Sequence, residues 1–180
     1  GRPLHFFGTE PGAALPLQCG IHRPRAAALV PAGAEHKMLM GAPYEPKIYA
    51  AVAGVTSVRD VYLTKGGAGY FHAVVQIQKM TEGDGKNAIM AAFAAHTSLK
   101  HVVVVDSDIN IYSPEDVEFA VATRVRADED VMIISGVRGS SLDPCRIGDG
   151  LNVKAGVDAT IPLGFEDEFI RADWQNNKEE

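Results

Sequence analysis

The chain has 180 residues, 46% of them hydrophobic and 22% charged, with a net charge of −6. That length holds one domain with a sizeable core, and the acidic balance argues against a nucleic-acid surface, which needs a basic stripe to neutralise phosphates. No run approaches the roughly 18–20 consecutive apolar residues of a membrane-spanning helix, no apolar signal segment follows Arg2, and two cysteines, Cys19 and Cys145, are too few for a disulfide framework; a reduced, cytoplasmic setting is expected.

Residues 1–33 hold five of the ten prolines (Pro3, Pro11, Pro16, Pro24, Pro31). Proline removes an amide donor and fixes φ, so this segment is predicted to be irregular, a linker or the remnant of a preceding domain. From residue 34 the pattern becomes regular. "AEHKMLMG" (34–41) and "EPKIYAAVAG" (45–54) predict two short helices, each closed by a glycine, Gly41 and Gly54. "VRDVYL" (58–63) predicts a strand, "TKGGAG" (64–69) a loop, and "YFHAVVQIQ" (70–78) a second strand rich in aromatic and β-branched residues. The loop lacks the G-x-G-x-x-G spacing of a dinucleotide site; its glycines either admit a ligand against the backbone or simply make a turn.

"GKNAIMAAFAAH" (85–96) predicts a helix whose Ile89, Ala92, Phe93 and His96 share one buried stripe. "HVVVV" (101–105) is too short for a helix and too apolar for a half-exposed strand, so it is predicted to be central and covered on both faces. Ser113-Pro114-Glu115-Asp116 reads as a helix start, with a hydroxyl N-cap, proline in the first turn and acids at the positive end of the dipole. Val117, Ala120 and Val121 form that helix's apolar face, and "VMIIS" (131–135) predicts another strand. Alternating strands and helices point to an α/β fold: a mixed β-sheet flanked by helices in a three-layer sandwich over residues 34–165, followed by a polar tail, 166–180.

The acidic end of the central strand, Asp106-Ser107-Asp108, invites a metal reading. A calcium loop starting at Asp106 requires glycine at its sixth position and glutamate at its twelfth, and finds Ile111 and Val117 instead. A glycosyltransferase D-x-D is the other metal reading, but residues 1–60 offer no nucleotide-binding half to go with it. The competing structural reading is that these acids are turn and cap residues leading into the next helix. No Ser/His/Asp or Cys/His spacing marks a nucleophile.

Several segments together carry a more specific signal. "IHRPRAAALVPAGAEHKMLMGAPYEPKIY", "GYFHAVVQI", the long block "EGDGKNAIMAAFAAHTSLKHVVVVDSDINIYSPEDVEFAVATRVRADEDVMI", "RGSSLDP" and "KAGVDAT" resemble, in order, the C-terminal part of the UbiD family of prenylated-FMN-dependent decarboxylases, in its archaeal-type form. The match covers about Ile21 to Thr160, and its most specific part is the D-x-D-I-x-I-x-x-x-x-D-V block at 106–117. The resemblance implies a UbiD C-terminal-domain-like fold in which the acidic strand end is structural.

It also implies a longer or multi-subunit carboxy-lyase, with this chain inactive alone and its partner the flavin-binding N-terminal half. That half would carry the catalytic Glu-Arg-Glu network and hold prenylated FMN with a divalent metal and potassium; none of these is expected on this chain alone. Here the domain would close the active site and form homo-oligomers. By the resemblance, Arg59 lies near the flavin phosphate, while Tyr62, Leu63, Lys65, Ser140 and Leu142 line the substrate pocket. Relatives acting on aromatic acids carry bulky apolar residues at the Ser140 position, so a small polar residue there implies a smaller or more polar carboxylic acid substrate. Lys65 and Arg138 are candidates to hold a substrate phosphate. The alternative function is a stand-alone oligomerisation or binding domain without catalysis.

Overall fold

A computed structural model describes residues 39–143, 145 and 150–170; the expectations for residues 1–33, for most of the helix at 34–41 and for the tail beyond 170 lie outside them. Among the described residues, the helices α1 (Tyr44–Ala53), α2 (Asp84–Ala95) and α3 (Pro114–Arg124) flank five strands: β1 (Ser57–Leu63), β2 (His72–Gln78), β3 (His101–Asp106), β4 (Val131–Arg138) and β5 (Leu151–Ala159). A short 3-10 turn spans Glu166–Phe169. The strand order is β1-β2-β3-β5-β4. β2, β3 and β5 run parallel, and the edge strands β1 and β4 pair antiparallel to β2 and β5, so the sheet is mixed as predicted.

Helices cover both faces. Ile48 and Val52 of α1 and Ala88, Ile89, Ala92 and Phe93 of α2 pack on Val61, Leu63, Ala73, Val75, Ile77, Val102 and Val104. Val117 and Ala120 of α3 pack on Val74, Val103, Val105 and Ala159 from the other side. The valine run of β3 is buried throughout because alternate side chains enter the two cores, and burying each valine contributes about 1.5–3 kcal/mol. At α3 the Ser113 hydroxyl accepts from the Asp116 N–H at 3.2 Å, as the cap signature predicted. Gly54 stands at the end of α1 but keeps a right-handed φ of −75°, its N–H bonding back to Ala51 and Val52. It therefore ends the helix without the left-handed turn that usually favours glycine there.

The sequence patterns missed one strand, β5, which lies beside β3 and makes the third parallel member of the sheet. Its inward face carries Asn152, Lys154 and Asp158, each 7% exposed or less. Lys154 and Asn152 find partners in other segments of the chain, and Asp158 one two residues on. Lys154 Nζ donates to the Thr97 carbonyl at 2.7 Å and to the Leu99 carbonyl, and lies over the Phe93 ring at 5.1 Å. Asn152 donates to Asp143, and Asp158 accepts from the Thr160 hydroxyl at 2.7 Å. Burial lowers the pKa of Lys154 to about 8.

His96 at the end of α2 is 3% exposed and stacks on Tyr44 with ring centroids 3.9 Å apart. Burial pushes its pKa down to about 4. The folded state therefore holds a neutral imidazole, while the unfolded chain protonates near 6.5. That contribution to stability is complete above pH 6.5 and is lost as pH falls from there toward 4, by about 1–2 kcal/mol once solvent screening is allowed for. A His96→Phe variant, which keeps the stack, is expected to lose less stability than the parent between pH 7 and pH 4.5 in thermal melts. Equal losses in the two proteins would rule this account out.

A candidate active-site groove

A groove of about 610 Å³ opens on the α3 face of the sheet, where β1 ends and β2 begins. Its floor is apolar, with Val74 of β2, Val103 of β3 and Val117 of α3; Tyr62 and Tyr112 form one wall and Lys65 stands on the loop between β1 and β2. That loop is tightly folded. Thr64 N–H donates to the His72 carbonyl at 3.0 Å, and the Thr64 hydroxyl accepts from Gly67 N–H at 3.0 Å. A side chain on Gly67 would run into the Cβ of His72, so this glycine permits the close return of the chain. From the other face, Glu45 of α1 accepts from the Leu63 N–H at 2.8 Å and fixes the end of β1.

The charged groups of the groove are few. Lys65 is exposed and has no ion-pair partner among the described residues; Glu118 is the one acid in the lining. His72 also lines the groove, its pKa lowered by burial and then by neighbouring His101, whose ring lies 6.3 Å away. Tyr112 donates its hydroxyl to Asp60 at 2.7 Å, and that bond raises its pKa to about 12.

The residues singled out in the sequence separate in space. Tyr62 and Lys65 come together in the groove. Leu63, next to Tyr62 on a strand whose side chains alternate, faces the α1–α2 side and is 4% exposed in that core. Arg59 sits farther back on β1, where the pairing shifts between Val58 and Asp60, and its guanidinium reaches the Gln78 side-chain oxygen at 3.3 Å. Ser140 and Leu142 follow β4, the opposite edge of the sheet, and do not line the groove. Three intervening strands put the two edges about 19 Å apart. Ser140 is buried, and its hydroxyl accepts from the Leu142 N–H at 3.1 Å, which closes a local turn. Lys100 pairs with Asp143 beyond that turn at 3.2 Å. Tyr112 and His72 escaped the sequence reading because they reach the groove from elements distant in the chain, without a motif of their own.

At the other end of the sheet the acidic strand end has a clear partner. The Arg124 side chain, 1% exposed, bonds Asp106 at 3.3 Å and grips both carboxylate oxygens of Asp108. Asp106 also accepts from the Ile161 N–H at 2.7 Å, while burial raises its pKa. These carboxylates are satisfied by a guanidinium and a backbone amide, an arrangement of structural acids. Among the described residues no group of three or more His, Cys, Asp or Glu side chains could hold a metal ion, and no helix is long and apolar enough to cross a membrane.

Comparison with known proteins follows the same lines. The model of the 3-octaprenyl-4-hydroxybenzoate carboxy-lyase C-terminal domain matches residues 37–159. Anhydromevalonate phosphate decarboxylase of Methanosarcina mazei is 62% identical over 154 residues, which cover 84% of this chain and 36% of that protein. Gallate decarboxylase of Lactiplantibacillus plantarum is 34% identical over 161 residues, covering 78% of this chain and 33% of that protein. Among solved structures, the UbiD-class enzyme HmfF from Pelotomaculum thermopropionicum in complex with FMN superposes with a TM-score of 0.74 at 47% identity, over 77% of this chain and 31% of HmfF. The chain thus spans about a third of the length of the relatives it matches.

Proposed function

The chain belongs to the UbiD family, as the C-terminal domain of its carboxy-lyases, and from that premise we propose that it serves a non-oxidative decarboxylase acting on a phosphorylated, unsaturated acid. The observation that carries this reading is the groove itself: an apolar trough beside Tyr62 with, among the described residues, a single lysine, Lys65, and no carboxylate paired to it. An apolar floor suits a short unsaturated carbon chain, and an unpaired ammonium suits a phosphoryl group. The M. mazei relative, named for the decarboxylation of anhydromevalonate phosphate, supports the same substrate class. Arg138, the other cation considered for that role, ends β4 at the far edge of the sheet.

A flavin is the proposed cofactor, held mainly by the flavin-binding half of the complete enzyme; solved relatives contain FMN or prFMN. This chain's residues fit a share in that task. The Arg59 guanidinium is exposed, meets only a neutral amide oxygen at 3.3 Å and has no carboxylate paired to it among the described residues, so its charge is available to a phosphate. When bound, the flavin supplies the electron sink for loss of CO2. Tyr62 and the apolar floor orient the acid and keep water from it. The metal and potassium ligands, like the catalytic acid and base, are proposed to lie in the flavin-binding half. Copies of the domain are proposed to associate through the face of β4 and β5 that α3 leaves uncovered, where Ile133, Leu151 and Val153 are 60%, 53% and 38% exposed.

The test is CO2 release by the full-length, flavin-loaded protein from anhydromevalonate phosphate and from the same acid without its phosphate. The phosphorylated acid is the expected substrate. A Lys65→Glu variant is expected to raise its KM by about tenfold or more, with a smaller change for the unphosphorylated acid. No CO2 from the parent would end the decarboxylase reading, whereas equal KM values in parent and variant would end only the role of Lys65.

A further inference from the structure

The loop from the end of β3 to the start of α3 is anchored along its length. Arg124 holds Asp106 and Asp108 at its root, and the Gln76 side chain donates to the carbonyls of Ser107 at 3.2 Å and Ile109 at 2.8 Å. Ile109 and Ile111, each 3% exposed, plug into the α3-side core. Ser113 then caps α3. Between these anchors Tyr112 stands 58% exposed, yet it is held twice by β1. Its hydroxyl donates to Asp60 at 2.7 Å, and its ring meets that of Tyr62 with centroids 4.9 Å apart. At so exposed a position water competes for the same hydrogen bond, so the bond adds little to folding. It does tie the loop to the edge strand and keep the Tyr112 ring against that of Tyr62.

We propose that Tyr112 is a positioning residue of the groove: tied to Asp60, it holds the Tyr62 ring as a fixed wall and so sets the fit of the substrate's carbon chain. The D-x-D-I-x-I block then acts as the bracket that presents this tyrosine. The inference rests on the decarboxylase reading only for its activity assay.

In the full-length, flavin-loaded protein, Tyr112→Phe and Asp60→Ala are each expected to raise KM for anhydromevalonate phosphate about three- to tenfold, with kcat within about twofold. Because both remove the Tyr112–Asp60 bond, and Asp60→Ala also loses the acceptor for the Val61 N–H, the double variant is expected to be no worse than Asp60→Ala alone. Asp60→Asn, which keeps an acceptor oxygen, is expected to stay near the parent. Melting temperatures are expected to move by no more than a degree or two, as for other surface substitutions. Calorimetric binding of the same compound gives Kd apart from turnover. A Kd raised in Tyr112→Phe supports the inference even where the parent releases no CO2, an outcome that counts against the decarboxylase reading alone. KM and Kd unmoved in both single variants, additive effects in the double variant, or losses that follow the melting temperature would overturn it.

Discussion

Replacing Arg124 with alanine is expected to destabilise the fold by about 3–5 kcal/mol, the cost of leaving a buried charge without its partner. The guanidinium is almost wholly enclosed and serves two carboxylates at once. Asp108 is half exposed and can turn to water, but Asp106 is mostly buried and keeps only the Ile161 amide. The deficit is therefore expected to fall mainly on Asp106. Its pKa is already raised by burial, so protonation removes the uncompensated charge, and the gap between variant and parent is expected to narrow as pH falls through that raised value. Arg124→Lys is expected to recover only part of the loss, because a point ammonium cannot grip both oxygens of Asp108 while reaching Asp106. Urea unfolding of the three proteins at pH 7 checks this, and a loss below about 1 kcal/mol in Arg124→Ala would show that the clamp is dispensable.

Gly156→Val is expected to cost about 2–3 kcal/mol through overpacking. Gly156 pairs with Val102 on one side and Met132 on the other, deep in the sheet. A Cβ there would fall on the Ile89 side chain, which is fully buried on α2. Valine is the better strand residue in general, by less than about 1 kcal/mol. The steric overlap outweighs that preference, because α2 cannot withdraw without opening the core it shares with α1 and β3. Combining Gly156→Val with Ile89→Ala is expected to restore at least half the loss. A single Gly156→Val variant as stable as the parent in urea would show that α2 yields more easily than its packing implies.

These two positions also mark what was legible beforehand. β3, α2 and the start of α3 could be read because valine runs, helical stripes and a serine cap are local signals, and the structure keeps them where the pattern put them. β5 was invisible because its buried face is Asn152, Lys154, Gly156 and Asp158, the inverse of a strand pattern. Those residues are tolerated inside because Thr97, Leu99 and Asp143 meet Lys154 and Asn152 from other segments, and Thr160, just past the strand, meets Asp158. The same holds for the acids at 106 and 108: their types suggested a turn or a metal, while the deciding partner stands 16 to 18 residues later. In the groove, Tyr62 and Lys65 lie close together in sequence and in space, whereas Tyr112 arrives from a loop that folds back over β2. Contact across the sheet leaves no trace in spacing.

The irregularity at Arg59 has an effect well beyond that residue. With one extra residue opposite Ile77 and Gln76, β1 changes parity part-way along. Val58 and Val61, three apart, therefore share a face, an odd interval that an unbroken strand forbids. Were Arg59 instead taken into the ladder opposite Gln76, with the pairing from Val58 backwards kept, every later side chain of the strand would turn over. Leu63 would emerge on the groove side and Tyr62 would be driven into the apolar layer beneath α1. The bulge thus decides which of two neighbours the groove receives, and the residue it holds out of the ladder carries its guanidinium outward. The strand's phase and its exposed cation have a single origin.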